Sequence, residues 1–204
     1  MGREAARRRA DRLRRLAVQY VEHGWPIARL AIQHGGRCAC GLLDCVEPHL
    51  VLAPSPVITT AAAADDAFSS GRWAIGLLTQ CFDVLELPAR FGAPLHHQLK
   101  TECPTALAPG TRQWHFFVTP GSVSRRLIEA AGGQVHSGSS DWVLAPGTYT
   151  EPTGRIRWLT QPYLTHWRPY QRRDAIDIVF NTGDWSAVDA PSPRLPELVN
   201  DALK

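Results

Sequence analysis

Apolar positions recur at helical spacing early in the chain. Leu13, Leu16, Ala17, Tyr20 and Val21 follow the i, i+3, i+4, i+7, i+8 order that builds one apolar face. A helix is therefore expected over residues 4–23, capped by Gly24 and prevented from continuing by Pro26. Trp25–Ile32 reads as a strand, residues 34–49 as a loop, and the Ala-rich run Thr59–Phe68 as a short helix with Asp65 and Asp66 near its end. Strands are expected at Ala74–Leu78 and Phe82–Leu87. Pro88 then suits the first position of a helix whose Leu95 and Leu99 face inward. Aromatic and β-branched residues make Trp114–Val118 a strand, broken by Pro120-Gly121, and Ser122–Ala131 a helix ending at Gly132-Gly133. Trp142–Ala145 and Arg155–Leu159 read as strands around a turn at Pro152 and Gly154. A last helix is expected over Tyr170–Phe180, followed by a Pro- and Asp-rich tail with a helical turn at Leu195–Leu203. Partial alternation of strands and helices, with hairpin-like pairs, predicts an α+β domain with a mixed sheet rather than a doubly wound parallel one.

The 204 residues suit one domain with modest appendages, and there is no internal repeat. Net charge is only +3, but it is unevenly placed: Arg3, Arg7, Arg8, Arg9, Arg12, Arg14 and Arg15 crowd the first fifteen residues against Glu4 and Asp11. Such a block attracts phosphate backbones or anionic surfaces, or it is simply a solvated helix face. No apolar run approaches the roughly 18–20 residues that span a bilayer, and no apolar core of a secretory signal follows the arginines. The expectation is a cytoplasmic protein without a membrane partner.

Five cysteines are an odd number for a disulfide framework, and three fall within eight residues. Cys38, Cys40, Cys45 and His49 offer three thiolates and an imidazole, the donor set of a closed structural zinc site. Gly41 allows a tight turn around an ion, and Pro48 stiffens the approach to His49. The competing readings are incidental cysteines beside a surface histidine, or a Cys38–Cys45 disulfide.

The order of further segments carries a resemblance. Tyr20-Val21-Glu22-His23-Gly24-Trp25-Pro26 precedes the cysteine loop. Ile75-Gly76-Leu77-Leu78-Thr79 and Phe82-Asp83-Val84-Leu85-Glu86-Leu87-Pro88 follow it. Then come Trp114-His115-Phe116-Phe117, Val143-Leu144-Ala145-Pro146-Gly147-Thr148 and Gly154-Arg155-Ile156-Arg157-Trp158. Over about residues 12–170 this resembles the N-terminal domain of bifunctional DNA primase/polymerases, of the archaeo-eukaryotic primase superfamily, in its short actinobacterial form. The resemblance implies a mixed sheet with an RRM-like core and a zinc-stapled helical flank. It divides the chain into a basic N-terminal helix (1–24), a primase/polymerase-like domain (12–170) with its zinc loop at 34–49, and a C-terminal helix and tail (171–204).

The same resemblance implies nucleotidyl transfer on a DNA template with Mg²⁺ or Mn²⁺, since paired divalent metals clamp the attacking and leaving oxygens. Active members place two acids at i and i+2 on a strand, where alternate side chains share one face. Here Glu86 takes the first position and Pro88 the second, while Asp83 at odd spacing lies on the opposite face. His115 matches the histidine that contacts nucleotide phosphates, and Asp141 is the acid available to the third motif. Arg112 and Arg155 are the candidates for neutralising phosphate. The structural alternatives are an ordinary strand residue for Glu86, a satisfied histidine among aromatics for His115, a turn residue for Asp141, and solvated turn arginines.

Three functions follow as expectations. The first is a primase/polymerase acting on DNA and nucleoside triphosphates. The second is a non-catalytic nucleic-acid or nucleotide-binding module on the same scaffold. The third is a zinc-stapled protein-interaction domain. The chain has no G-x-x-x-x-G-K-S/T phosphate loop, so a helicase or other replication protein would act in trans.

Overall fold

The computed structural model describes residues 3–34, 37–41, 45, 49–51, 57–150, 153–172, 176 and 180. In chain order the elements begin with α1 (Arg3–Glu22), β1 (Ile27–Ala31), β2 (Gln33–His34), β3 (Arg37–Cys38) and β4 (His49–Leu50). Next come α2 (Ala61–Phe68), β5 (Ala74–Leu78), β6 (Asp83–Pro88), α3 (Ala89–Leu99), β7 (Thr105–Ala108) and β8 (Gln113–Val118). They continue with α4 (Arg125–Ala130), β9 (Gln134–His136), β10 (Trp142–Leu144), β11 (Tyr149–Thr150), β12 (Gly154–Arg155) and β13 (Arg157–Thr160), before a 3₁₀ turn at Pro162–Thr165. The apolar stripe of α1 does what its spacing predicts: Leu13, Ala17, Tyr20 and Val21 are buried. Thr60 caps α2 by accepting a hydrogen bond from the Ala63 amide. Pro88 is the N-cap of α3 rather than its first residue, with extended φ and ψ of −63° and 153°.

The chain is α+β, and its sheets are antiparallel. A four-stranded sheet runs β10-β5-β1-β4, and a five-stranded sheet runs β13-β7-β8-β6-β9, every pair antiparallel. The mixed sheet expected from the sequence is therefore corrected. Within the segment β6-α3-β7-β8-α4-β9, the strands joined by a helix are parallel to each other but never adjacent. β8 lies between β6 and β7, and β6 lies between β8 and β9. This is the split βαβ arrangement, in which each crossover skips a position that an antiparallel strand fills. Among the described residues the parallel contact is a single bridge, Val118 to Tyr170.

Two cores lie on the two faces of the five-stranded sheet. Leu85, Leu87, Trp114, Phe116 and Leu107 point to one face and pack with Leu95 and Leu99 of α3 and Ile128 of α4. Val84, Phe117, Ala106 and Ala108 point to the other, where they share a core with α1, α2 and the four-stranded sheet. Trp25 is central to this second core, with ring centroids 4.6 Å from Phe82 and 5.2 Å from Phe117, and its indole N–H donates to the Trp167 carbonyl at 3.1 Å. Each such ring pair contributes roughly 0.5–1.5 kcal/mol beyond area burial. α1 is also tied to α2 by Arg14, whose Nη2 donates to both carboxylate oxygens of Asp65 at 2.6 and 2.7 Å and whose Nε donates to Oδ1 at 2.9 Å.

Tyr170 is extended, bonded to Phe117 and Thr119 through its backbone, so the helix expected over 170–180 does not begin there. That bridging fastens the chain to the end of β8, which conflicts with helical φ and ψ. Residues 173–175 and 177–179 of that expected helix, and the turn expected at 195–203, lie outside the described residues.

Gly92 gives a test of the helix-side core. A Cβ placed there would sit 2.3 Å from the Trp114 Cγ. Alanine ordinarily stabilises a helix interior over glycine by about 1 kcal/mol. Gly92→Ala should instead destabilise by about 1–3 kcal/mol through overpacking, read as a lower denaturation midpoint.

Candidate functional site

The cysteine–histidine group is assembled from strand ends at the edge of the four-stranded sheet. Cys38 closes β3, whose partner β2 follows β1 almost directly, and His49 opens β4, paired with Ala31 of β1. The Ala39 amide donates to the Ile32 carbonyl and the Gly41 amide to the Cys38 carbonyl, which turns the chain through Cys40. Gly41 has φ +86°, in the left-handed region that glycine adopts without penalty. Arg72 holds the same turn from outside, donating to the Ala39 carbonyl. The ligand atoms of Cys38, Cys40, Cys45 and His49 all lie within 4.8 Å of one another, and Cys38 is buried. The donor set suits a metal such as zinc, which takes four N/S ligands in a tetrahedron. The ends of the cluster, Cys38 and His49, lie on strands β3 and β4 rather than on the helical flank that the resemblance implies, with Cys40 in the turn after β3. Sulfur hydrogen bonding to Cys38, together with burial and the nearby Cys40, pushes the Cys45 thiol up to about 12. A bound cation reverses that preference by favouring thiolates.

The second group lies between the sheets. Glu86 and His115 are direct cross-strand partners on β6 and β8, on the face turned toward the four-stranded sheet. His136 on β9 stands opposite Val84, diagonal to Glu86 on the same face. Glu86 Oε2 is 3.3 Å from Nε2 of both His115 and His136. The chain of contacts continues from His136 Nδ1 to Asp141 Oδ1 at 3.4 Å. Asp141 is held in turn by the Trp142 amide at 2.8 Å and the Ser137 amide at 3.1 Å. Thr79 fixes that loop, its hydroxyl donating to the Gly138 carbonyl at 2.9 Å and its amide to the Asp141 carbonyl at 3.1 Å.

Glu86, His115, His136, Asp141 and Gln113 line a cleft of about 420 Å³, with Val143 and Leu144 of β10 on the opposite wall. Burial works to raise the Glu86 carboxyl. Hydrogen bonds and charge from His115 and His136 outweigh it and hold the group well below the usual carboxylate range. His136 is likewise opposed by burial, but Glu86 and Asp141 on its two sides raise it above an ordinary histidine. On residues lining this cleft, two buried polar atoms have no hydrogen-bond partner among the described residues, His115 Nδ1 and Gln113 Oε1. A buried polar group without a hydrogen bond costs about 1–3 kcal/mol.

The sequence-derived residues Glu86, His115 and Asp141 thus meet in one cleft. Asp83 does not join them: it is on the opposite face, where its carboxylate accepts the Gly121 amide at 2.7 Å. Pro88 does share the Glu86 face, and opposite it stands Gln113, at the position where the resemblance expects a second acid to project. Arg112 is exposed in the β7–β8 turn with φ +56° and lies beside the cleft wall at Thr111 without lining it. Arg155 is exposed on β12, against α1 rather than in the cleft. His136 was not anticipated, because a three-residue strand ending in Gly- and Ser-rich sequence has too short a pattern to place a side chain. The available signal was a histidine five residues before Asp141.

Comparison with protein-family models, with curated proteins and with solved structures returns no match in any of the three. Among the described residues no helix is long and apolar enough to cross a membrane.

Elemental analysis of the purified chain should find a single zinc per molecule. Cys45→Ser should abolish stoichiometric zinc, and chelation should lower the melting temperature of the wild-type protein while leaving that of the variant unmoved.

Proposed function

We propose that the chain is a primase/polymerase-type domain whose inter-sheet cleft binds a nucleoside triphosphate and transfers its nucleotide to a DNA end. The observation that carries this reading is the meeting of Glu86, His115 and Asp141, three residues from separate segments, in one cleft with His136 between the two carboxylates. The strand order β9-β6-β8-β7 adds support, since a βαββαβ unit with both helices on one face is the plan of RRM-type modules. The cleft opens on the face of that unit away from its helices.

His115 and Gln113 line the cleft and would turn their unpartnered atoms, closed to solvent in this structure, onto the polar groups of the nucleotide. Mg²⁺ is commonly held by one or two carboxylates together with substrate phosphates, and Glu86 and Asp141 offer two such groups. The ion supplies charge to the phosphoryl oxygens. Among the described residues the cysteine–histidine cluster is the group whose ligand atoms already lie within 4.8 Å of one another, so the cleft's carboxylates would depend on the substrate's phosphates to complete a metal shell.

A second reading is a nucleotide-binding module without catalysis. Pro88 in place of an acid favours it, as does the engagement of one Glu86 oxygen by two imidazoles.

A primed DNA template with labelled deoxynucleotides and Mn²⁺ or Mg²⁺ separates the two. Catalysis predicts incorporation that falls about a hundredfold or more in Glu86→Ala and in Asp141→Ala. Triphosphate binding by calorimetry without incorporation supports the module. Absence of both overturns both.

A further inference from the structure

Helix α1 has two unlike flanks. On one, Asp11, Arg14, Arg15 and Glu22 run beside Asp65 of α2, with charges of both signs matched. On the other, Arg8, Arg12, Leu16 and Gln19 follow the i, i+4, i+8, i+11 spacing of a single helical stripe, with Arg9 alongside. This second flank forms one wall of a groove whose other wall comes from Thr148, Tyr149, Arg155 and Arg157. Two hollows of about 560 and 240 Å³ adjoin along Arg12, Gly147 and Arg155 and together form the groove. Beyond Arg157 it ends at Tyr163.

Five arginines line this groove and, among the described residues, no carboxylate does. Arg8 is paired along the helix with Glu4 at 2.8 Å, whereas Arg12, Arg155 and Arg157 have no acidic partner among the described residues. Burial and the neighbouring charge of Arg155 lower the Arg9 pKa, a sign that like charges are gathered here. An anion in the groove relieves that repulsion. Two further groups point the same way. Thr148, only 1 % exposed, and Arg157 line the groove, and the Thr148 hydroxyl and Arg157 Nε are buried without a hydrogen-bond partner among the described residues. Tyr149, 46 % exposed, stands beside its cross-strand partner Arg155 where the two hollows meet, and Tyr163, 60 % exposed, lines the smaller hollow.

We infer that this groove is a binding track for single-stranded nucleic acid, its arginines on the phosphates and Tyr149 and Tyr163 stacked on bases. Backbone-neutralising charge interleaved with exposed aromatic rings is the combination that holds single strands without sequence preference. A duplex keeps its base faces hidden and has no use for the two rings. A membrane surface needs a convex or flat basic face rather than a groove. The inference deepens the proposed action on DNA by naming the surface that holds a single strand, while its observations come from the groove and not from the cleft. Ile156 lines both, so a strand in the track passes directly behind the cleft that holds Glu86.

The test is fluorescence anisotropy of the full chain with a labelled oligothymidylate of about fifteen nucleotides, long enough to span a track of this kind. Nucleotide and added divalent cation are left out, so the readout is independent of any chemistry in the cleft. Affinity should fall with salt, and Arg12→Ala with Arg155→Ala should weaken binding about tenfold and reduce the log–log salt slope by about 1.4. Tyr149→Leu with Tyr163→Leu should weaken binding about tenfold at an unchanged slope. Circular dichroism melting verifies that these exposed positions leave the fold intact. Absence of binding overturns the inference, as does equal binding by all variants. If polyglutamate or anionic vesicles compete as well as the oligonucleotide, and the tyrosine pair is without effect, the groove is an anion surface and the nucleic-acid assignment is overturned.

Discussion

Strand β6 is hydrogen-bonded along both edges, to β8 and β9, and covered on both faces. Its pleat then decides where everything around it goes. Leu85 and Leu87 must face α3 and α4, so Val84 and Glu86 must face the other sheet. A slip of one residue would exchange the two sets, burying Glu86 among leucines beneath the helices. The register is held by six consecutive partners on β8, from Asp83 with Val118 to Pro88 with Gln113. Because β6 carries no bulge in that pairing, Asp83 and Glu86 are committed to opposite sides.

The same constraint explains why a carboxylate is tolerated so far inside. Near Val84 the two sheets share a close-packed core, while two residues later along β6 they enclose a cleft instead. Glu86 sits at that transition, 26 % exposed, with an imidazole on each side. The ladder supplies His115 from one neighbouring strand and His136 from the other, so charge compensation is built from cross-strand and diagonal pairs. Asp141 closes the far end of the series from a loop that Thr79 anchors. A carboxylate–imidazole–carboxylate series of this kind gathers charge around one space, and two residues lining it carry unpartnered buried polar atoms.

The cysteine–histidine cluster and the basic helix are separate devices on the four-stranded side. A sheet edge made of the two-residue strand β4 has little hydrogen bonding to hold it, and a four-ligand cluster spanning β3 and β4 would supply the missing restraint. α1 is anchored by its apolar stripe, by Tyr20 donating to the Pro146 carbonyl at 2.9 Å, and by the Arg14–Asp65 pair. That anchoring is what lets its arginine flank form a fixed wall.

The sequence alone determined the elements with strong periodicity and the chemistry with short spacing. α1 was legible from Leu13, Ala17 and Tyr20, β5 and β8 from apolar and aromatic runs, and the metal cluster from four ligands within twelve residues, because each signal is local to its segment. Strand β7, Thr105–Ala108, was not legible because it is buried on both faces and lacks contrast between them, and strand β9, Gln134–His136, because three residues are too short a run to show alternation. The antiparallel order of the sheets, the placement of His136 against Glu86 and the pairing of Arg155 with the arginines of α1 were decided only in three dimensions. Each depends on which strands become neighbours, and that choice is made by burial of both faces of β6 across the whole domain rather than by any one segment.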